Sequence, residues 1–150
     1  MVYCLNRGVS GETSGELLRH IYTDSKSCPQ AKTALLLTGS NDTWLPQKID
    51  IYQDNLRQII NVLKEKHENI GLGFLPPIIG PGLPNYPFNA KEQVNSINKV
   101  IALTARKYNC FLADFRRLEK YIVDTVHFSH IGYHKMAEIW YQAIEKRGIL

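Results

Sequence analysis

The sequence predicts an α/β fold of three layers, with helices covering both faces of a parallel sheet. Three observations carry this reading. Short apolar runs alternate with longer segments whose apolar residues recur at helical spacing. The upstream apolar runs end in glycine and small polar residues, as strands do when they deliver loops to the carboxyl edge of an open sheet. Finally, 150 residues with 44% apolar content can bury a real core but are too few for two ordinary domains, so residues 1–150 read as a single domain.

The elements follow in order. Val2 to Leu5 is a first apolar, strand-like run, and a short helix is expected near Ser14 to Tyr22. Thr33 to Leu37 reads as a strand, free of proline and glycine. From Ile49 to Lys66, Tyr52, Leu56, Ile59, Ile60 and Leu63 fall on one helical face. Ile70 to Leu75 reads as the next strand. A second helical repeat runs through Val94, Ile97, Ile101, Ala105 and Tyr108, and Cys110 to Phe115 is again strand-like. The last helix is expected to bury Met136, Trp140, Ala143 and Ile144. No internal repeat, low-complexity tract or linker divides the chain.

One long irregular stretch, Pro76 to Asn89, holds five of the seven prolines and leaves the end of an expected strand. Loops there usually shape a pocket. Its Ile78, Ile79, Leu83, Tyr86 and Phe88 either form an apolar wall for an acyl group or pin the loop to the body.

Composition narrows the functional classes. No segment approaches the roughly 18 uninterrupted apolar residues of a membrane span, and the N-terminus lacks the basic start and apolar stretch of a signal peptide. Cys4, Cys28 and Cys110 are odd in number and share no C-x-x-C spacing, so a disulfide framework or zinc ribbon is not suggested and the default compartment is cytoplasmic. The net charge of +4 comes from scattered Lys and Arg without interleaved aromatics, which argues against a nucleic-acid surface.

The chemistry concentrates in three segments. Asp124-Thr125-Val126-His127 sets an acid three residues before a base, on the approach to the last helix. A carboxylate so near can accept the imidazole Nδ1–H, fix its tautomer and leave Nε2 as a general base. Upstream, Asn6-Arg7-Gly8-Val9-Ser10-Gly11-Glu12-Thr13 and Gly39-Ser40-Asn41-Asp42 offer donors suited to a developing oxyanion. Taken singly, Gly11 reads as a turn glycine, Asn41 as a turn former and Asp42 as a cap for the turn that follows it.

With these blocks in this order, the chain resembles the SGNH hydrolases, the GDSL-type esterases and lipases: N-R-G-x-S-G-x-T, then G-x-N-D, then D-x-x-H. The resemblance implies a flavodoxin-like sheet and cleavage of a small-molecule carboxylic ester through a serine, with no metal or organic cofactor. It assigns His127 as base, Asp124 as its orienting partner, and the Gly11 N–H and Asn41 amide to the oxyanion hole. The family's first block has no counterpart here, since no Gly-Asp-Ser occurs in the 150 residues. The first central strand, the nucleophile and the first helix are therefore expected to be missing, as in a chain shortened at its N-terminus. Such a chain is either inactive as it stands or a non-catalytic binding module that keeps the pocket.

Ser10, Ser40 and Ser129 are poor substitutes for the nucleophile, because the first two adjoin the oxyanion donors and Ser129 follows its own base by two residues. A competing reading places a metal between Asp124, His127, His130 and His134. The His130–His134 pair lacks an upstream acidic or cysteine partner, and both are expected to be exposed. An absent central strand would also leave the Thr33 to Leu37 edge unpaired, open to Met1 to Leu5 or to a second copy of the chain.

Overall fold

The computed structural model describes residues 3–27, 30–45, 48–79 and 89–150. Helices and strands alternate in it: α1 (Ser14–Ser27), β1 (Thr33–Leu36), α2 (Ile49–Lys64), β2 (Asn69–Phe74), α3 (Ala90–Tyr108), β3 (Phe111–Asp114) and α4 (His130–Lys146). Short 3-10 turns lie at Asn41–Trp44 and Glu119–Tyr121. The strands pair in parallel in the order β1-β2-β3, with Leu36 beside Leu72 and Leu72 beside Leu112. The α/β class and the strands and helices expected from Thr33 onward are thus present. Among the described residues, no helix is long and apolar enough to cross a membrane.

Successive side chains of a strand point to opposite faces, and the two faces of this sheet differ. Leu36, Ile70, Leu72 and Phe74 meet Leu56, Ile59 and Ile60 of α2 and Val94, Ile97 and Ile101 of α3 in the main core. Helix α1 packs along α2 and joins this core through Leu17, Leu18 and Ile21. The opposite face carries Gly71 and Gly73, where an added Cβ would stand 2.5 Å from the Phe111 ring and 2.7 Å from the Phe115 ring. Helix α4 lies there, and Met136, Ile139, Trp140 and Ala143 close a second, smaller core over Ala113 and Phe115. Trp140 meets the Phe111 and Phe115 rings edge-on, with centroids 6.5 and 5.4 Å away. Met136, Trp140, Ala143 and Ile144 are half-buried, where the sequence suggested full burial.

Two expectations need correction. Tyr3 to Leu5 form no strand and do not occupy the β1 edge; Tyr3 is 85% and Leu5 67% exposed. The segment is drawn to α1 instead, where the Arg7 guanidinium donates to Asp24 at 2.7 Å. β1 is left as an edge strand, with Leu35 39% exposed. Helix α1 also runs past Tyr22 to Ser27, through residues of weak helix propensity. Tertiary contacts hold that end: Arg7 binds Asp24, and buried Ser25 Oγ lies 3.1 Å from His67 Nε2.

Candidate active site

Because the strands run parallel, the loops that follow them gather at the carboxyl edge of the sheet, where open α/β folds bind ligands. The Asn41 turn follows β1, Pro76 to Ile79 follow β2, and the Asp124 turn follows β3.

Asp124 is tightly held. Its Oδ1 accepts the backbone N–H groups of Val126 and His127, both at 2.8 Å, and its Oδ2 accepts the His127 Nδ1–H at 2.8 Å. The His127 N–H first, then the Val126 N–H and the imidazole, hold the Asp124 carboxyl far below the usual carboxylate range. An ionised carboxylate only accepts, so Asp124 holds the proton of a neutral His127 ring on Nδ1 and leaves Nε2 outward, on a side chain 70% exposed.

The turn is anchored on three sides. Val123 N–H donates to His127 C=O at 2.9 Å, Ser129 N–H donates to Tyr121 C=O at 2.8 Å, and Ile122 and Phe128 form an antiparallel bridge. Ile79 N–H donates to Thr125 C=O at 3.2 Å, tying the turn to the loop after β2. Ser129 Oγ accepts from Gly132 N–H at 3.2 Å and so caps α4. Gly132 lets that first helical turn lie directly on Phe128 and Tyr121, each of which has an atom 2.9 Å from the position of an added Cβ.

The upstream donors form a second unit. Gly11 has φ +78°, a left-handed conformation that few other residues adopt. The Asn41 side-chain amide donates to Glu12 C=O at 2.9 Å, which joins the Gly11 and Asn41 loops. An amide NH₂ carries two donors, so Asn41 keeps one N–H to offer. Below it, Gly39 has φ +116° and stands where a Cβ would come within 2.9 Å of the Tyr52 ring. Buried Tyr52 donates its hydroxyl to Thr38 C=O at 3.0 Å, and burial pushes that hydroxyl well above the usual tyrosine range, so it remains protonated.

Sequence and structure differ in detail here. Asp42 is structural, but it caps α1 rather than its own turn: its Oδ2 accepts Ser14 N–H at 2.9 Å and its Oδ1 accepts the Ser14 hydroxyl. Ile78 is buried in the main core, and half-buried Ile79 packs against the second core. Leu83, Tyr86 and Phe88 lie outside the described residues. A cavity of about 200 Å³ adjoins the Asn41 turn, lined by Asp42, Tyr52, Lys48, Asn89, Glu92 and Ser96 among others. His130 and His134 are exposed and face each other, Nε2 to Nε2 at 3.1 Å. Among the described residues, no three His, Cys, Asp or Glu side chains converge as a metal site.

One supporting residue was not singled out from sequence. Asn98 of α3 accepts Leu75 N–H at 2.7 Å and donates to Leu75 C=O at 3.1 Å, satisfying both backbone groups where β2 ends. Its signal is a polar residue on a buried helical stripe beside Val94, Ile97 and Ile101.

The structure thus brings Gly11 to Asn41 and Asp124 to His127. The Asn41 turn follows β1 and the Asp124 turn follows β3, so both leave the carboxyl edge of the sheet. This is a three-layer α/β protein with a carboxylate-oriented histidine and the joined Gly11 and Asn41 loops beside its strand ends. The sequence profile of the GDSL-like lipase/acylhydrolase family matches residues 2–135, and the chain belongs to that family. Among solved structures it resembles an acetylxylan esterase from Geobacillus stearothermophilus, with a TM-score of 0.78, 21% identity, and coverage of 93% of this chain and 71% of that one. A GDSL-like lipase from Bacteroides thetaiotaomicron gives a TM-score of 0.81 at 22% identity, covering 94% of this chain and 75% of its own. A putative acylhydrolase from Bacteroides fragilis gives 0.83 at 20% identity, with 94% and 74% covered. At such identities the likeness is one of fold. No curated protein sequence matches.

Proposed function

We propose that this chain, read as one domain, contributes the base and the oxyanion donors of a site that hydrolyses carboxylic esters by acyl transfer to a serine. His127 takes the proton from the serine Oγ as it attacks the ester carbonyl, then returns it to the departing alcohol. Asp124 holds the tautomer and balances the imidazolium that forms. The Gly11 N–H and the second Asn41 N–H receive the carbonyl oxygen as it gains charge. The observation that carries the reading is the Asp124 carboxylate, fixed by two backbone N–H groups and directed at His127 Nδ1.

The serine is the part that these 150 residues do not offer in the family's Gly-Asp-Ser form. Ser129 Oγ is engaged as the α4 cap. Hydrolysis therefore depends on a serine Oγ being brought to His127 Nε2. The Geobacillus neighbour is named for an acetyl ester, and by that likeness we infer a short acyl group on a polar alcohol.

The test compares p-nitrophenyl acetate hydrolysis by the chain with that of its His127→Ala variant, and repeats both with a Gly-Asp-Ser strand fused upstream. The chain alone is expected to match its variant. The fused form is expected to turn over, to prefer acetate to octanoate, and to label with a serine-directed phosphonate. A folded fused form without turnover would overturn the hydrolase reading and leave a binding role for the cavity.

A further inference from the structure

A second histidine, outside the Asp124–His127 pair, is built into the molecule between two carboxylates. His20 of α1 presents Nε2 to Glu12 and Nδ1 to Asp24, the latter at 2.7 Å. Asp24 also accepts the Arg7 guanidinium at 2.7 Å. The Glu12 side chain is 11% and that of Asp24 17% exposed, with the His20 ring between them 33% exposed. The segment from Arg7 to Glu12 is therefore fastened to α1 at both ends, with Gly11 between. The Glu12 carbonyl is in turn the group that orients the Asn41 amide.

We propose that His20 is a positioning residue for the oxyanion loop: as imidazolium it bridges Glu12 and Asp24 and latches the Gly11–Glu12 segment to α1, and on losing a proton it releases the Glu12 side. The inference rests on the reading of Gly11 and Asn41 as oxyanion donors. The geometry sets the protonation state. An ionised carboxylate only accepts, so two carboxylates can both be satisfied by one imidazole only when both ring nitrogens carry hydrogen. Neutral His20 would turn a bare lone pair on one of them. Asp24 is on the same helix, four residues away, and is held by Arg7, whereas Glu12 is on a loop, so Glu12 is the partner that leaves.

The surrounding charges favour this state. The Glu12 hydrogen bond raises the His20 pKa above its ordinary value, desolvation opposes it, and Asp24 adds to the rise. On its own helix, Arg19 donates to Gly15 C=O at 3.4 Å and Glu16 is taken by Thr13. Helix α2 meets α1 through an apolar seam at Leu17, Leu18 and Ile21, and its Asp54 is paired with Arg57 and Gln58. Glu12 and Asp24 are thus the charges that set His20, with Arg7 behind Asp24.

The experiment is nuclear magnetic resonance of the full chain across pH, reading the ring nitrogens of His20 and the backbone order parameters of Gly11 and Glu12. In the unmodified protein, His20 is expected to stay doubly protonated above the ordinary histidine midpoint. Its deprotonation should lower the Gly11 and Glu12 order parameters from the rigid range of about 0.85 toward about 0.6. Glu12→Ala should give the low values at every pH. Glu12→Gln should restore the high values and remove their pH dependence, because a side-chain NH₂ can donate to neutral Nε2 while Nδ1–H stays on Asp24. Order parameters at Gly11 that ignore the His20 titration, or a Glu12→Gln variant that behaves like Glu12→Ala, would overturn the latch. No ester enters this measurement. A coupled loop in a protein that never hydrolyses esters would keep the latch and lose only the hydrolase reading, whereas an uncoupled loop in an active fused form would lose only the latch.

Discussion

His127 and His20 are both oriented by an aspartate through Nδ1, at 2.8 and 2.7 Å. Their environments then diverge. At His127 the aspartate is saturated by backbone N–H groups and the far ring nitrogen faces outward, on a side chain 70% exposed. At His20 the far nitrogen is closed by Glu12, so the ring joins the Glu12 loop to α1. An Asp–His pair is therefore not a catalytic signature in itself. What distinguishes a base is the atom left unoccupied.

The widest separation between the two histidines is expected in the form fused to a Gly-Asp-Ser strand. There His127→Ala should lower kcat by about 10²–10⁴, the usual worth of a general base. His20→Gln should lower it by only about tenfold, the scale of one net hydrogen bond. Equal losses would erase the distinction. Asn41→Ala comes next, with an expected fall in kcat of about 10²–10³ and a smaller change in KM, because an oxyanion donor acts mainly in the transition state. An unchanged kcat in a folded variant would leave Asn41 as the turn residue that its hydrogen bond to Glu12 also makes it.

A third substitution asks whether the aim of His127 comes from the body of the protein. Gly132→Ala places a methyl against Phe128 and Tyr121 and should cost about 1–3 kcal/mol by overpacking. Thermal and urea unfolding would measure it. The smallest expected effect is a pH slope. The folded-state pKa of His20 is raised, so its stabilisation is complete below the unfolded value near 6.5 and is lost as pH rises through the folded value. The Tm should fall across that alkaline window, and Glu12→Gln should flatten the slope. An Asp124 titration would have the opposite sign, its stabilisation being lost only on strong acidification.

Much of the architecture was legible because it is written in local periodicity. The α2 face at Tyr52, Leu56, Ile59, Ile60 and Leu63 is buried as its spacing required, and the Asp124–His127 contact follows from a three-residue separation. The features that escaped depend on residues far apart in the chain. Asp42 caps α1 across 28 positions, and Asn98 meets Leu75 across 23. Arg7 and Ser25 stabilise an α1 end that helix propensity alone would terminate early. The Val2 to Leu5 run misled for the complementary reason. Its apolar residues suit a strand, but Arg7 just beyond them is fixed to α1, and Tyr3 to Leu5 gain no strand partner.

The close seat that Gly71 and Gly73 give α4 also makes the molecule self-reporting. Trp140 stands edge-on to two phenylalanine rings and belongs to the smaller of the two cores. Its near-ultraviolet circular dichroism and fluorescence should therefore follow the docking of α4, while far-ultraviolet signals follow the helices as a whole. With Trp44→Phe removing the other indole, the emission of a single chromophore would tell whether the layer bearing the His127 turn lets go before the α2–α3 layer melts.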